Sequence, residues 1–159
     1  MRITDQYFWN FVFSLFFLAF LFMGTIILDG EAYKAYGSLT AFDLALMVLA
    51  TFRLTRLFVY DKITAFFREQ FLDVVEGREG MALVKPEKGP RRTLADLFSC
   101  PWCIGMWAAG TVTFFYLLTP YAFFVILMLA IGALGTLLQL VANMIGWKAE
   151  QLKMDVERG

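Results

Sequence analysis

Long apolar runs alternate with short polar breaks along this chain, and the runs have the length of membrane crossings. Phe8 to Leu28 reads FWNFVFSLFFLAFLFMGTIIL, 21 residues without a charge, which as a helix measures about 31 Å and matches a hydrocarbon core. A cleaved signal peptide is the competing expectation. Its apolar core would be shorter, about 7–15 residues, and would end in small residues, whereas Gly24 and Thr25 lead into Ile26, Ile27 and Leu28. A polar break with two glycines, Asp29 to Ser38, follows. Thr40 and Asp43 then have the spacing of a capping box, which starts a second helix over about 40–60.

Beyond Tyr60 the pattern changes. In DKITAFFREQFLDVVE the apolar Ile63, Phe66, Phe67, Phe71, Val74 and Val75 recur at three- and four-residue spacing, while Lys62, Arg68, Glu69, Asp73 and Glu76 face away. This predicts an amphipathic helix over 61–76, capped by Asp61 and lying on a membrane surface. Residues 77–92 mix glycine, proline, arginine and lysine and predict the main loop of the chain. Thr93 and Asp96 repeat the capping-box spacing and predict a short helix through Phe98. Pro101 opens a third apolar helix to Leu118, Thr119-Pro120-Tyr121 makes a tight reversal, and a fourth helix runs from Tyr121 to about Trp147. The tail over 148–159 is charged and is expected to continue as helix in water.

The expected fold class is therefore an all-α integral membrane protein. Four transmembrane helices form two hairpins, over 1–60 and 100–147, joined by a cytoplasmic amphipathic helix and basic loop over 61–99. Composition agrees, because 60% of the 159 residues are hydrophobic and 18 are Phe, far above the apolar share of a soluble domain. The net charge of zero conceals segregation. With four crossings, 13 of the 14 Lys and Arg residues fall on one side and only Lys34 on the other, so the positive-inside rule makes that side cytoplasmic, with both termini on it. No basic footprint for nucleic acid is visible. Two Cys and no His remove histidine general bases and rule out a complete four-ligand Cys/His zinc site within one chain.

Candidate chemistry is confined to a few positions. Cys100-Pro101-Trp102-Cys103 holds both cysteines where a charged segment becomes apolar. Pro101 suits the first turn of a helix, so the two thiols sit at a helix N-terminus, where thiolate is favoured. The readings are a structural turn, a redox pair, or half of a zinc site shared between two chains. Arg53 and Arg56, three residues apart, share a helix face near the end of the second span, where arginine needs a partner or a path to water. They are expected to snorkel, to pair with Asp61 or Asp96, or to bind a lipid phosphate or other anion. Asp43 is read as a capping residue in preference to an intramembrane carboxylate. Gly105, Ala109 and Thr113 on the third span, and Gly132, Thr136, Gln139 and Asn143 on the fourth, form stripes suited to close helix packing and interhelical hydrogen bonds.

The run Arg53-Leu54-Thr55-Arg56-Leu57, Asp61, and Cys100-Pro101-Trp102-Cys103 with Gly105 and Trp107 resemble a family of small bacterial and bacteriophage membrane proteins of unknown function, one member of which carries a sporulation label. The resemblance covers roughly residues 44–145. It implies a bacterial or phage inner-membrane setting and no catalytic assignment. The leading expectation is a non-enzymatic interaction or structural subunit of the inner membrane, in a homo-oligomer or larger membrane complex, without a cofactor. The alternatives are a thiol site at Cys100 and Cys103, redox or zinc-binding, and a small pore, holin or transporter.

Overall fold

The computed structural model describes residues 3–77 and 80–158. In chain order these form α1 (Ile3–Glu31), α2 (Ala41–Val59), α3 (Ala65–Glu69), β1 (Asp73–Gly77), β2 (Gly80–Val84), α4 (Pro90–Ser99), α5 (Pro101–Leu118) and α6 (Ala122–Arg158). Three helices are long and apolar enough to cross a membrane: α1 over Gln6–Glu31, α5, and α6 over Ala122–Glu157. By that measure α2, which carries Asp43, Arg53 and Arg56, is not one of them.

The four long helices alternate in direction along the chain. Phe17 meets Trp107 with ring centroids 4.9 Å apart, and farther along Phe114 faces Gly24, so α1 and α5 run the same way. Asp43 at the start of α2 meets Tyr116 near the end of α5, while Thr55 faces Gly105 near its start, so these two run oppositely. On α6, Gly132 lies under Arg53, and Ile126 and Ala130 share a core with Leu46, Met47 and Ala50 of α2. Ala50 and Ala133 are fully buried; small side chains here let the helix backbones approach closely.

The start of α2 is closed by a cap. Thr40 and Asp43 form the expected capping box, with the Asp43 carboxylate accepting from the Thr40 backbone N–H at 2.8 Å. The same carboxylate accepts a hydrogen bond from the Tyr116 hydroxyl and forms an ion pair with Lys34 at 2.8 Å. Asp43 therefore ties the α1–α2 connection, the start of α2 and the end of α5 together. The helix-start role expected for it stands, and two partners from outside α2, Lys34 and Tyr116, are added.

The segment between α2 and α5 departs from expectation. The amphipathic helix over 61–76 is replaced by a 3₁₀ turn at Lys62–Thr64, the five-residue α3, and a hairpin in which Asp73 pairs with Val84 and Gly77 with Gly80. Val74 and Val75 are β-branched and better suited to a strand than to a helix, and they find partners in Leu83 and Ala82. The expected loop accordingly contains β2, and Arg78 and Glu79 lie outside the described residues. The second capping box is not a helix start either. α4 begins three residues earlier at Pro90, after Gly89 at φ 94°, a conformation that favours glycine. Thr93 is instead buried within α4, accepting from Gln6 Nε2 at 2.8 Å and donating to Asn10 Oδ1 at 3.2 Å.

α1 is held against α5 by close approach at Gly110, where a Cβ would stand 3.0 Å from the Phe20 ring. Gly110→Leu is expected to lower stability in detergent by about 1–3 kcal/mol, the usual cost of overpacking. Gly30→Ala, with nothing within 4 Å of the added atom, should change it by less than about 0.5 kcal/mol. Equilibrium unfolding followed by circular dichroism measures both, and equal effects would contradict the contact.

Candidate functional site

The Cys-Pro-Trp-Cys turn forms because Cys100 adopts an extended backbone between two helices. α4 ends at Ser99, Cys100 caps α5, and Pro101 occupies its first position, where a missing N–H costs nothing. The Cys100 sulfur accepts from the Cys103 backbone N–H at 3.3 Å and from the Cys103 thiol at 2.7 Å. Both cysteines are free thiols. The hydrogen bond from the Cys103 thiol, followed by that from the Cys103 backbone, lowers the Cys100 pKa from its ordinary value of 9.0. Partial burial opposes this, and the Trp102 backbone and the positive charge of Lys85 add to it. Cys100 is thus the more nucleophilic sulfur, with Cys103 poised beside it.

Beside the turn lies a cavity of about 700 Å³ between α1, α4 and α5. Asn10, Lys85 and Asp96 supply polar groups, Phe13 and Trp107 an apolar wall, and both cysteines line it. Lys85 pairs with Asp96 at 2.8 Å and Arg92 with the other carboxylate oxygen at 2.9 Å. Burial works against the Asp96 carboxylate, but these two hydrogen bonds outweigh it and hold its pKa below the ordinary value. Among the described residues, no three His, Cys, Asp or Glu side chains gather where they would hold a metal.

The two arginines part company. Arg53 pairs with Asp61 at 2.9 Å, its stem crossing α6 at Gly132; a larger residue at 132 would occupy that path. Arg56 lies over the rings of Phe52 and Tyr60, at 5.9 and 5.2 Å, and its buried Nε has no hydrogen-bond partner among the described residues. The last carbonyls of α2 are satisfied by side chains that the periodicity reading did not single out. Thr64 donates to Leu57 and Asp61, and Arg68 donates to Phe58 at 3.0 Å and Val59 at 2.7 Å. Phe98 of α4 seals the same end, stacking on Phe71 and meeting Phe58 and Phe67 edge-on or tilted.

The packing stripes also divide. Gly105 faces Thr55, Ala109 lines the gap between α1 and α5, and Gly132 faces Arg53. Thr136 donates back to the Gly132 carbonyl at 2.8 Å. Gln139 and Asn143 are exposed, and the hydrogen bond in which Gln139 takes part goes to Asn143, 3.0 Å away on the same helix. Sequence reasoning missed Lys34 and Tyr116 as partners of Asp43, and Lys85 as the charge near Cys100. The spacing of the chain gives no signal for contacts that join residues 73 or 15 positions apart.

A helical bundle with three potential membrane spans and a capped dithiol turn is the class that this architecture defines. The chain belongs to the family described as protein of unknown function (DUF1360), whose pattern matches residues 46–142. The match takes in both arginines, Asp61 and the dithiol turn. The chain is 33% identical over 106 residues to the sporulation protein YjcA of Bacillus subtilis (strain 168), covering 63% of this chain and 90% of that protein. It is also 33% identical over 95 residues to the UPF0713 protein YngL of the same organism, covering 59% and 73%. No solved structure matches.

The arrangement predicts unequal thiols. Alkylation of Cys100 should rise with pH to a midpoint below 9.0, the thiolate being lost as pH falls through that lowered pKa. Cys103→Ala removes the largest cause and should move the midpoint upward. Mass-resolved iodoacetamide labelling against pH reads this directly; an unmoved midpoint would contradict the hydrogen bond.

Proposed function

We propose that this chain is a multi-pass protein of the bacterial inner membrane that works by association through the distal half of α6. In this reading α2 is a fourth span, made tolerable by the closure of both its ends and by the Arg53–Asp61 pair. The chain then forms two hairpins, with both termini and the 61–100 segment in the cytoplasm. The alternating helix directions and the placement of 13 of 14 basic residues on one side support it.

The observation that carries the proposal is the uncovered half of α6. A 37-residue helix is about 56 Å long, whereas the 19 residues of α2 make about 29 Å. α6 therefore runs past the end of the helix it packs on, and from Leu137 to Glu157 every residue is exposed. Apart from the Gln139–Asn143 face, the first part of that stretch is apolar, including Leu138, Val141, Met144, Ile145 and Trp147. Water would not favour so much apolar surface, and lipid would not favour the Gln139 and Asn143 amides without further partners. Another protein helix satisfies both demands, and a second copy of α6 presents the same stripe.

Mass measurement of the chain in nanodiscs is expected to give a multiple of 18.2 kDa. Replacing Gln139 and Asn143 together by Leu should shift it toward monomer, because interhelical amide hydrogen bonds contribute about 0.6–2 kcal/mol each. A monomeric native chain would contradict self-association.

A further inference from the structure

We propose that Cys100 and Cys103 form a two-electron redox pair whose oxidant is an amphipathic quinone bound in the cavity between α1, α4 and α5. The proposal goes beyond association and does not depend on it, though it rests on α1 and α5 lying in the bilayer.

Three observations converge. First, the sulfurs are 2.7 Å apart, close to the roughly 2.05 Å of a disulfide bond, so closure requires little movement of the turn. Second, the cavity has the size of a small-molecule site, about 700 Å³ against a usual range of roughly 300–1,000 Å³. Its lining is divided: Lys85, Asp96, Thr93 and Asn10 meet a polar head, and Phe13 and Trp107 meet a planar apolar ring. Third, the first turn of α5 carries exposed Trp102, Cys103 and Met106, and Met106 and Cys103 also line the cavity. With α5 in the bilayer, that turn lies at the depth where a lipid-soluble molecule with a polar head would enter.

The Cys100 thiolate adds to a ring carbon of the quinone, forming a C–S bond and sending an electron pair to the ring oxygen, which takes a proton. Cys103 gives up its thiol proton and its sulfur attacks Cys100 Sγ; the S–S bond forms, the C–S bond breaks, and its pair passes through the ring to the second carbonyl oxygen, which takes the proton that Cys103 released. The products are one disulfide and one quinol, with two electrons and two hydrogens transferred. A reducing dithiol, acting by thiol–disulfide exchange, restores the starting state.

The test uses the full chain, reduced, in nanodiscs, with ubiquinone-1 as probe because its ring has no free position for a stable thioether. One quinol should form per chain with loss of both alkylatable thiols, and Cys100→Ser or Cys103→Ser should abolish it. Met106→Trp, which fills the entrance, should slow oxidation by ubiquinone-1 about a hundredfold, the loss expected when reacting groups are misplaced by about 1 Å. It should leave oxidation by glutathione disulfide unchanged. Thiols that stay reduced with excess quinone would overturn the proposal, as would equal slowing of both oxidants or equal rates after unfolding in detergent. Preferential reaction with glutathione disulfide would assign the pair to disulfide exchange and overturn the quinone. Flotation of the chain with lipid vesicles reports separately whether the membrane reading holds.

Discussion

Everything in this fold depends on a polar helix made acceptable in apolar company. α2 packs against both α5 and α6, yet it carries an aspartate and two arginines, and its ends expose unpaired backbone groups like those of any helix. At its start, the Thr40–Asp43 capping box, the Tyr116 hydroxyl and Lys34 converge on one carboxylate. At its other end, Thr64 and Arg68 take up the last carbonyls, and Asp61 turns back to meet Arg53. A buried polar group without a partner would cost more than most single contacts contribute. The side chains that satisfy α2 therefore also fix where the neighbouring segments must lie: the α1–α2 connection at one end, α3 and α4 at the other.

The long helices were legible because their signal is local. A 21-residue uncharged run, a proline at the first helical position and a threonine before a helix are readable from neighbouring residues. α5 accordingly begins at Pro101 and ends at Leu118, and the capping box at Thr40 forms as its spacing suggests. The segment after Tyr60 was misread for a physical reason. Phe67, Phe71, Val74 and Val75 fit a helical period, but Val74 and Val75 also fit a strand, and short apolar runs carry both patterns. Pairing with Leu83 and Ala82 settled the competition, and a local period carries no sign of such pairing. Thr93 shows a related limit: its spacing to Asp96 imitates a cap, whereas its hydroxyl serves Gln6 and Asn10 on a helix more than 80 residues earlier.

The site was legible in part for the same reason. Residue types and local spacing marked Cys100, Cys103, Arg53 and Arg56, and Asp61 was named among possible partners of the arginines. What surrounds the thiols, including Lys85 and the α1 wall of the cavity, arises from tertiary packing and left no mark on the local pattern. The same packing gives the two halves of α6 different environments. Residues up to Gly132 and Thr136 have neighbours on α2 or bond within the packed part of the helix, whereas Gln139 and Asn143, on the same stripe, have only each other among the described residues. A continuous stripe that is used over half its length is the structural basis for reading α6 as an association element.

The most direct test of that reading is a nitroxide scan along 137–147 in vesicles, with collision rates measured for oxygen, which samples lipid, and for a polar nickel chelate, which samples water. If another helix covers the Gln139–Asn143 face, probes there will be shielded from both reagents, while probes on the opposite face will collide freely with one of them. Equal accessibility around the whole circumference would mean that α6 stands alone, and the association account would fail.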